Sequence, residues 1–286
     1  MRRTFTTTDG LTLVGAAVGD ERRPPVLLMH GGGQTRHAWG GTARALAARG
    51  WYALAVDLRG HGDSDWAPDG TYALDAHARD MATLARGCAQ PPVFVGASLS
   101  GLAALVAQGE AEAALFAALV LVDVTPRLDP DGTRQILDFM RARLHDGFAT
   151  LEEAADAIAT YNPHRPRPTD LGGLAKNLRL HPDGRYRWHW DPAFMAGERS
   201  PNVHGQEARL VACARALRLP TLLVRGRMSN LVTEEAAAEF LADVPQARFA
   251  DVSGAGHMVA GDRNDLFTDA VVDFLQGIPA PDTLAG

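Results

Sequence analysis

Short apolar runs recur along the chain: "PPVLLMH" (24–30), "WYALAVD" (51–57), "PPVFVGA" (91–97), "FAALVLVDV" (116–124) and "PTLLVRG" (220–226). Each is too short for a core helix and is bounded by Gly, Pro or a polar residue. That pattern reads as strands buried on both faces. Helical stretches lie between them. Residues 36–49 are alanine-rich and stop at Gly50, 71–88 put Leu74, Ala78, Met81 and Leu84 or Ala85 on one side, and 99–108 follows the third run. Strand–helix alternation means an α/β protein, with a mostly parallel sheet covered by helices on both faces. Two N-terminal strands joined at Asp9-Gly10 precede it. The rhythm breaks between Pro126 and Leu219. Helices are expected near 131–146 and 150–160, but no strong buried strand. It resumes with a helix at 233–243, a strand at 247–252 and a helix at 263–276, so the middle reads as an insertion into one sheet.

The 286 residues are ample for a hydrophobic core, and 46% apolar content excludes a disordered chain. A formal charge of −6 argues against a nucleic-acid partner. Cys88 and Cys213 stand far apart without a CxxC, so neither a disulfide scaffold nor a metal site is indicated. Two reduced, buried thiols in a cytoplasmic protein are expected. The start "MRRTFTTTDG" has no apolar segment of the signal-peptide kind, and no run is long enough to span a membrane.

The stretch Gly96-Ala97-Ser98-Leu99-Ser100-Gly101 sits where a strand turns into a helix. It misses G-x-S-x-G, because the second glycine comes one residue late. A nucleophile elbow is a tight strand–turn–helix, so the residues two before and two after the nucleophile must be small. Ser98 has Gly96 and Ser100 there, whereas Ser100 would have Ser98 and the bulky Leu102. Ser98 is therefore the candidate nucleophile, against a serine placed there by chance. A serine needs a base and a site for the oxyanion. "HGGGQ" (30–34) follows the first buried run, and Gly32 N–H with Leu99 N–H would form the oxyanion hole. The same glycines could cradle a phosphate, but GxGxxG and GxxxxGK[ST] are absent. His257, in "SGAGHMV" after the last strand, is the candidate base. The order of nucleophile, acid and histidine is that of the α/β-hydrolase layout.

With "LLMHGGGQTRHAW", "AVDLRGHGDSD", "VFVGASLSGLAAL", "LVLVDVTPR", "PTLLVRGRMSNLV" and "SGAGHMV", the chain resembles the α/β-hydrolase fold superfamily, in its capped, epoxide-hydrolase-like and esterase branch with a serine nucleophile. The resemblance implies a core of 1–126 and 219–286 and a mostly helical cap at 127–218. It also implies that "DLRGHGDSD" (57–65), with His61 and Asp63, is scaffold beside the oxyanion loop. Relatives often carry an acid after the penultimate core strand, where this chain reads Arg225-Gly226-Arg227-Met228-Ser229-Asn230. Asn230 cannot supply an anion. Other relatives take the acid from the strand after the nucleophile helix, which here offers Asp123. Asp123 stands at the carboxyl edge where active-site groups of open α/β sheets gather, although it could instead cap the turn before Pro126.

A serine rather than an aspartate nucleophile excludes epoxide-hydrolase and haloalkane-dehalogenase chemistry. The expected function is hydrolysis of a small or medium carboxylic ester by Ser98, His257 and Asp123, without cofactor or metal. Thioester or C–C bond hydrolysis would use the same parts, and a lapsed, ligand-binding hydrolase is the reading from another class. The substrate pocket is expected from Gly31, Trp39, Tyr161, Trp188, Trp190 and Met258, with Phe194 as a further cap aromatic. The cap cations Arg165, Arg167, Lys176, Arg179, Arg185 and Arg187 read as solvated or paired with Asp170, Asp183 and Asp191. The partner is a small-molecule ester, and a homodimer is an admissible assembly.

Overall fold

The computed structural model describes residues 1–163, 167, 171–197, 199–201, 203, 205–262 and 264–278. Its centre is an eight-stranded sheet built from β1 (Arg2–Thr6), β2 (Thr12–Val18), β3 (Pro25–Met29), β4 (Tyr52–Val56), β5 (Val93–Ala97), β6 (Ala118–Val122), β9 (Thr221–Gly226) and β10 (Ala247–Val252). The strand order is β1-β2-β4-β3-β5-β6-β9-β10. The β1–β2 and β2–β4 pairs are antiparallel and the others parallel. Every residue of β3, β6 and β9 is buried, as continuous apolar runs require. β1 and β10, at the edges, alternate or stay half-exposed. Gly10, at φ +86°, makes the turn between β1 and β2.

One face of the sheet is covered by α1 (Gly40–Ala47) and α10 (Asn264–Gln276). The other is covered by α2 (Leu74–Arg86), α3 (Leu99–Gly109), α7 (Glu207–Ala216) and α8 (Glu234–Asp243). Between β6 and β9 the chain forms α4 (Pro130–Arg141), α5 (Leu151–Tyr161), a hairpin of β7 (Leu178–Leu180) and β8 (Tyr186–Trp188), α6 (Ala193–Ala196) and α7. The reading of the sequence held no strands there. Each strand of this hairpin has three residues, too few to show alternation. α7 was also not foreseen. It presses on α3 so closely that a Cβ on Gly109 would lie 2.5 Å from Cys213 Cβ. Both cysteines are free thiols pushed up to about 11 by burial, although Cys88 is only half-buried.

Candidate active site

Ser98 lies between β5 and α3 with φ +50° and ψ −119°. A non-glycine residue at positive φ is strained by about 1–3 kcal/mol and persists only where its surroundings impose it. Gly96 and Gly101 impose it here. A Cβ on Gly96 would meet Gly101 N at 2.8 Å, and one on Gly101 would meet Gly96 O at 2.9 Å. The close approach expected at Ser100 thus falls one residue later. That accounts for the displaced glycine in the motif. The buried Ser100 hydroxyl is occupied, donating toward Met29 O (2.8 Å) and Ala97 O (3.0 Å). Ser98 instead lines a cavity of about 1040 Å³ together with His257, Gly31, Gly32, Gly33 and Leu99.

His257 sits in the loop between β10 and α9 (Val259–Asp262). Its Nδ1 lies 2.7 Å from Asp123 Oδ2. Asp123 follows β6, is fully buried and also has φ +50°. Its other donors are Gly226 N–H to Oδ1 (3.0 Å) and the Ser229 hydroxyl to Oδ2 (2.6 Å). Three donors converging on one carboxyl group suit an acceptor-only carboxylate. They assign the proton of the neutral imidazole to Nδ1 and leave the Nε2 lone pair free. Gly226 has to be glycine, since a Cβ there would lie 2.1 Å from Gly256 O. Asn230 is exposed and donates to Gln135 Oε1 of α4 (2.5 Å), facing away from this group. Ser229 was not foreseen as a partner of Asp123. Its only signal was its place beside the vacant acid position.

The Gly31–Gly33 loop is shaped by two neutral histidines. His30 Nδ1–H donates to Gly31 O (2.7 Å), while His30 Nε2 accepts from Leu58 N–H (3.0 Å). A trans peptide is planar, so holding the Gly31 carbonyl on one side turns Gly32 N–H to the other. Gly33 N–H is taken by His61 Nε2 (3.0 Å), whose Nδ1–H donates to Arg59 O (3.0 Å). Burial pushes His30 down to about 4 and His61 to about 3, so both stay neutral. Among the described residues no acceptor is found for Gly32 N–H or Leu99 N–H. Those two amides are the donors available to an oxyanion. Asp63 is tied up elsewhere, on Arg36 at 2.6 Å.

Tyr161, Trp188, Trp190 and Met258 line the cavity. Tyr161 stacks on Phe139 (4.1 Å between ring centroids), and burial raises its hydroxyl to about 12. Trp188 and Trp190 stack on each other (4.8 Å). Trp39 is elsewhere. It is 1% exposed and packs on Phe267 in the layer under the sheet, because the 3₁₀ turn Arg36–Trp39 directs it into the α1–α10 face. Leu137, Met140 and Phe194 line the cavity without having been named for it, or, for Phe194, only as a cap aromatic. Of the cations named between residues 127 and 218, four are engaged: Arg187 with Asp183 (2.6 Å), Arg167 with Asp156 (2.6 Å), Arg185 with Asp146 O (2.5 Å) and Arg179 with Gly62 O. Asp191 accepts from Tyr72, not from an arginine. Lys176 lines the cavity. Arg165 and Asp170 lie outside the described residues.

A mostly parallel sheet with a strained serine at the β5–α3 turn, a histidine after the last strand and a glycine loop after β3 defines an alpha/beta hydrolase. The chain matches the model of the alpha/beta hydrolase fold over residues 24–263 and belongs to that family. It is a carboxylesterase-like hydrolase. It is 31% identical to esterase Rv0045c of Mycobacterium tuberculosis over 266 residues, 89% of this chain and 82% of that one. The crystal structure of that esterase superposes with a TM-score of 0.74 at 29% identity, covering 96% and 91% of the two chains. The crystal structure of E-2-(acetamidomethylene)succinate hydrolase gives a TM-score of 0.81 at 26% identity, covering 96% and 99%. No helix among the described residues is long and apolar enough to cross a membrane.

Proposed function

We propose that the protein is a serine hydrolase of small to medium acyl or aryl carboxylic esters, acting through Ser98, His257 and Asp123. The observation that carries this reading is the 2.7 Å contact between His257 Nδ1 and Asp123 Oδ2, with His257 and Ser98 on one cavity. Ser98 Oγ attacks the ester carbonyl while His257 Nε2 takes its proton. Gly32 and Leu99 N–H receive the oxyanion. The alcohol leaves with the proton from His257, and water repeats the sequence on the acyl-enzyme. Asp123 keeps Nδ1 protonated and stabilises the imidazolium. In this reading the described residues of 1–126 and 219–286 form the catalytic core and those of 127–218 the cap, with α7 docked on the core. A fluorophosphonate probe tests it. Wild type and Ser100→Ala are labelled, and Ser98→Ala is not. Labelling that survives Ser98→Ala and disappears in Ser100→Ala would move the chemistry to Ser100 and overturn this reading.

The cavity is largely apolar and lined in part by α4, α5 and the 188–195 segment. A concave pocket of this kind suits single dissolved ester molecules better than an oil surface. Hydrolysis of soluble butyrate esters is therefore faster than that of emulsified long-chain triglyceride. The reverse ranking would refute the size selectivity and leave the triad untouched.

A further inference from the structure

Segment 188–194, "WHWDPAF", crosses from the cap to the loop that carries His61. Asp191 N–H donates to Gly60 O (2.9 Å), and Asp191 Oδ2 accepts from the Tyr72 hydroxyl (2.5 Å). His189, only 2% exposed, accepts Gly62 N–H on Nδ1 (2.7 Å). Among the described residues its Nε2 meets no hydrogen-bond partner. The cap thus grips both glycines that flank His61. Gly60 and Gly62 have φ +73° and +55°, a backbone that other residues adopt only with strain. His61 in turn holds Gly33 N–H. The edge of Phe194 packs on the His61 ring at 4.6 Å between centroids, and the same ring closes the space beside Gly32, where a Cβ would lie 3.3 Å from it.

We infer that His189, with Asp191 beside it, is a positioning residue: it clamps the turn at 60–62 and so sets, through His61 and Gly33, the direction in which Gly32 N–H points. The inference rests on the proposed role of Gly32 as an oxyanion donor. Its physical basis is that an oxyanion donor acts only from a preset position, and that a misplacement of about 1 Å in a reacting geometry costs about 10²-fold. The clamp's hydrogen bonds go to the 60–62 turn and not to the pocket, although the His189 ring stands perpendicular to Trp190 of the pocket lining (5.4 Å between centroids). Loss of those hydrogen bonds therefore weakens the transition state more than ground-state ester binding.

The test is the set His189→Ala, His189→Asn and Tyr72→Phe, assayed with p-nitrophenyl butyrate and with a trifluoromethyl ketone, whose tetrahedral adduct puts an oxyanion in the hole. His189→Ala lowers kcat and affinity for the ketone together by roughly 10- to 100-fold, with KM changed by less than about threefold. Asparagine can offer Oδ1 to Gly62 N–H, so His189→Asn recovers kcat to within about threefold of wild type. Tyr72→Phe, which removes the anchor of Asp191 from the core side, shifts kcat and ketone affinity in the same direction by a smaller factor. A rise in KM at constant kcat, no recovery with asparagine, or a fall in Tm with unchanged kinetics would overturn the inference. Full turnover of Ser98→Ala would instead overturn the hydrolase reading beneath it, and the two failures are distinguishable.

Discussion

Asp123→Asn lowers kcat by about four orders of magnitude with the fold intact. In a Ser-His-Asp hydrolase this exchange leaves the shape of the site and offers an N–H donor where the imidazole needs an acceptor. The ring then adopts the other tautomer and its Nε2 can no longer take the serine proton; the loss is about 10⁴. The setting here is unforgiving. Asp123 Oδ2 receives both His257 Nδ1–H (2.7 Å) and the Ser229 hydroxyl (2.6 Å), and Oδ1 receives Gly226 N–H (3.0 Å). An amide cannot accept from all three donors. Asn230→Ala, by contrast, removes an exposed contact to Gln135 and costs little activity. Kinetics of the two variants with p-nitrophenyl butyrate, with circular dichroism as a check on folding, separate the two positions. A harmless Asp123→Asn combined with a large gain in Asn230→Asp would mean that the native chain lacks a working acid, and would favour a ligand-binding protein.

The protein loses stability steeply as pH falls from about 6.5 towards 4. His30, His61 and His189 are buried rings lowered to about 4, 3 and 2, and His77 lies well below its ordinary value; desolvation is the largest cause for each. The unfolded chain binds protons on these histidines below about pH 6.5, and the folded chain does not. Their contribution is therefore fully present above pH 6.5 and is lost as acid pulls the chain towards the unfolded state. Each ring contributes about 1.4 kcal/mol per pH unit in that window, so His30 alone accounts for about 3 kcal/mol between pH 6.5 and 4. Against a total stability of roughly 5–15 kcal/mol, several such rings account for a large part of the loss in acid. His77 isolates the effect, because among the described residues neither of its ring nitrogens meets a hydrogen-bond partner. His77→Leu shifts the acid midpoint downward, as it removes a titrating group without removing a hydrogen bond. A urea midpoint that stays constant from pH 7 to 5 would contradict this account.

Much of the molecule was legible in the residues themselves. The apolar runs at 24–30, 51–57, 91–97, 116–124 and 220–226 became β3, β4, β5, β6 and β9, because a strand buried on both faces has to be apolar throughout. Local sterics predict that Ser98, not Ser100, stands at the strand–helix corner, and the structure has it there. The reason differs in detail, since Gly101 and not Ser100 carries the close approach to Gly96. The hairpin of β7 and β8, and the docking of α7 on α3, left no periodicity long enough to read. Trp39 was expected in the pocket, and a single 3₁₀ turn sends it to the opposite face.

Local order could be read from the residues: which segments are strands or helices, where the tight turns fall, and which serine stands at the strand–helix corner. These depend on patterns within a few residues. Tertiary structure alone decided the pairings. His257 and Asp123 are 134 residues apart and meet because β6 lies beside β9, and β9 beside β10, bringing their carboxyl ends to one edge. The sheet order also leaves Asn230 turned toward α4, and lets His189, in the segment between β6 and β9, reach Gly62 from 127 residues away. Such contacts are set by how buried faces stack in space. No spacing along the chain encodes them.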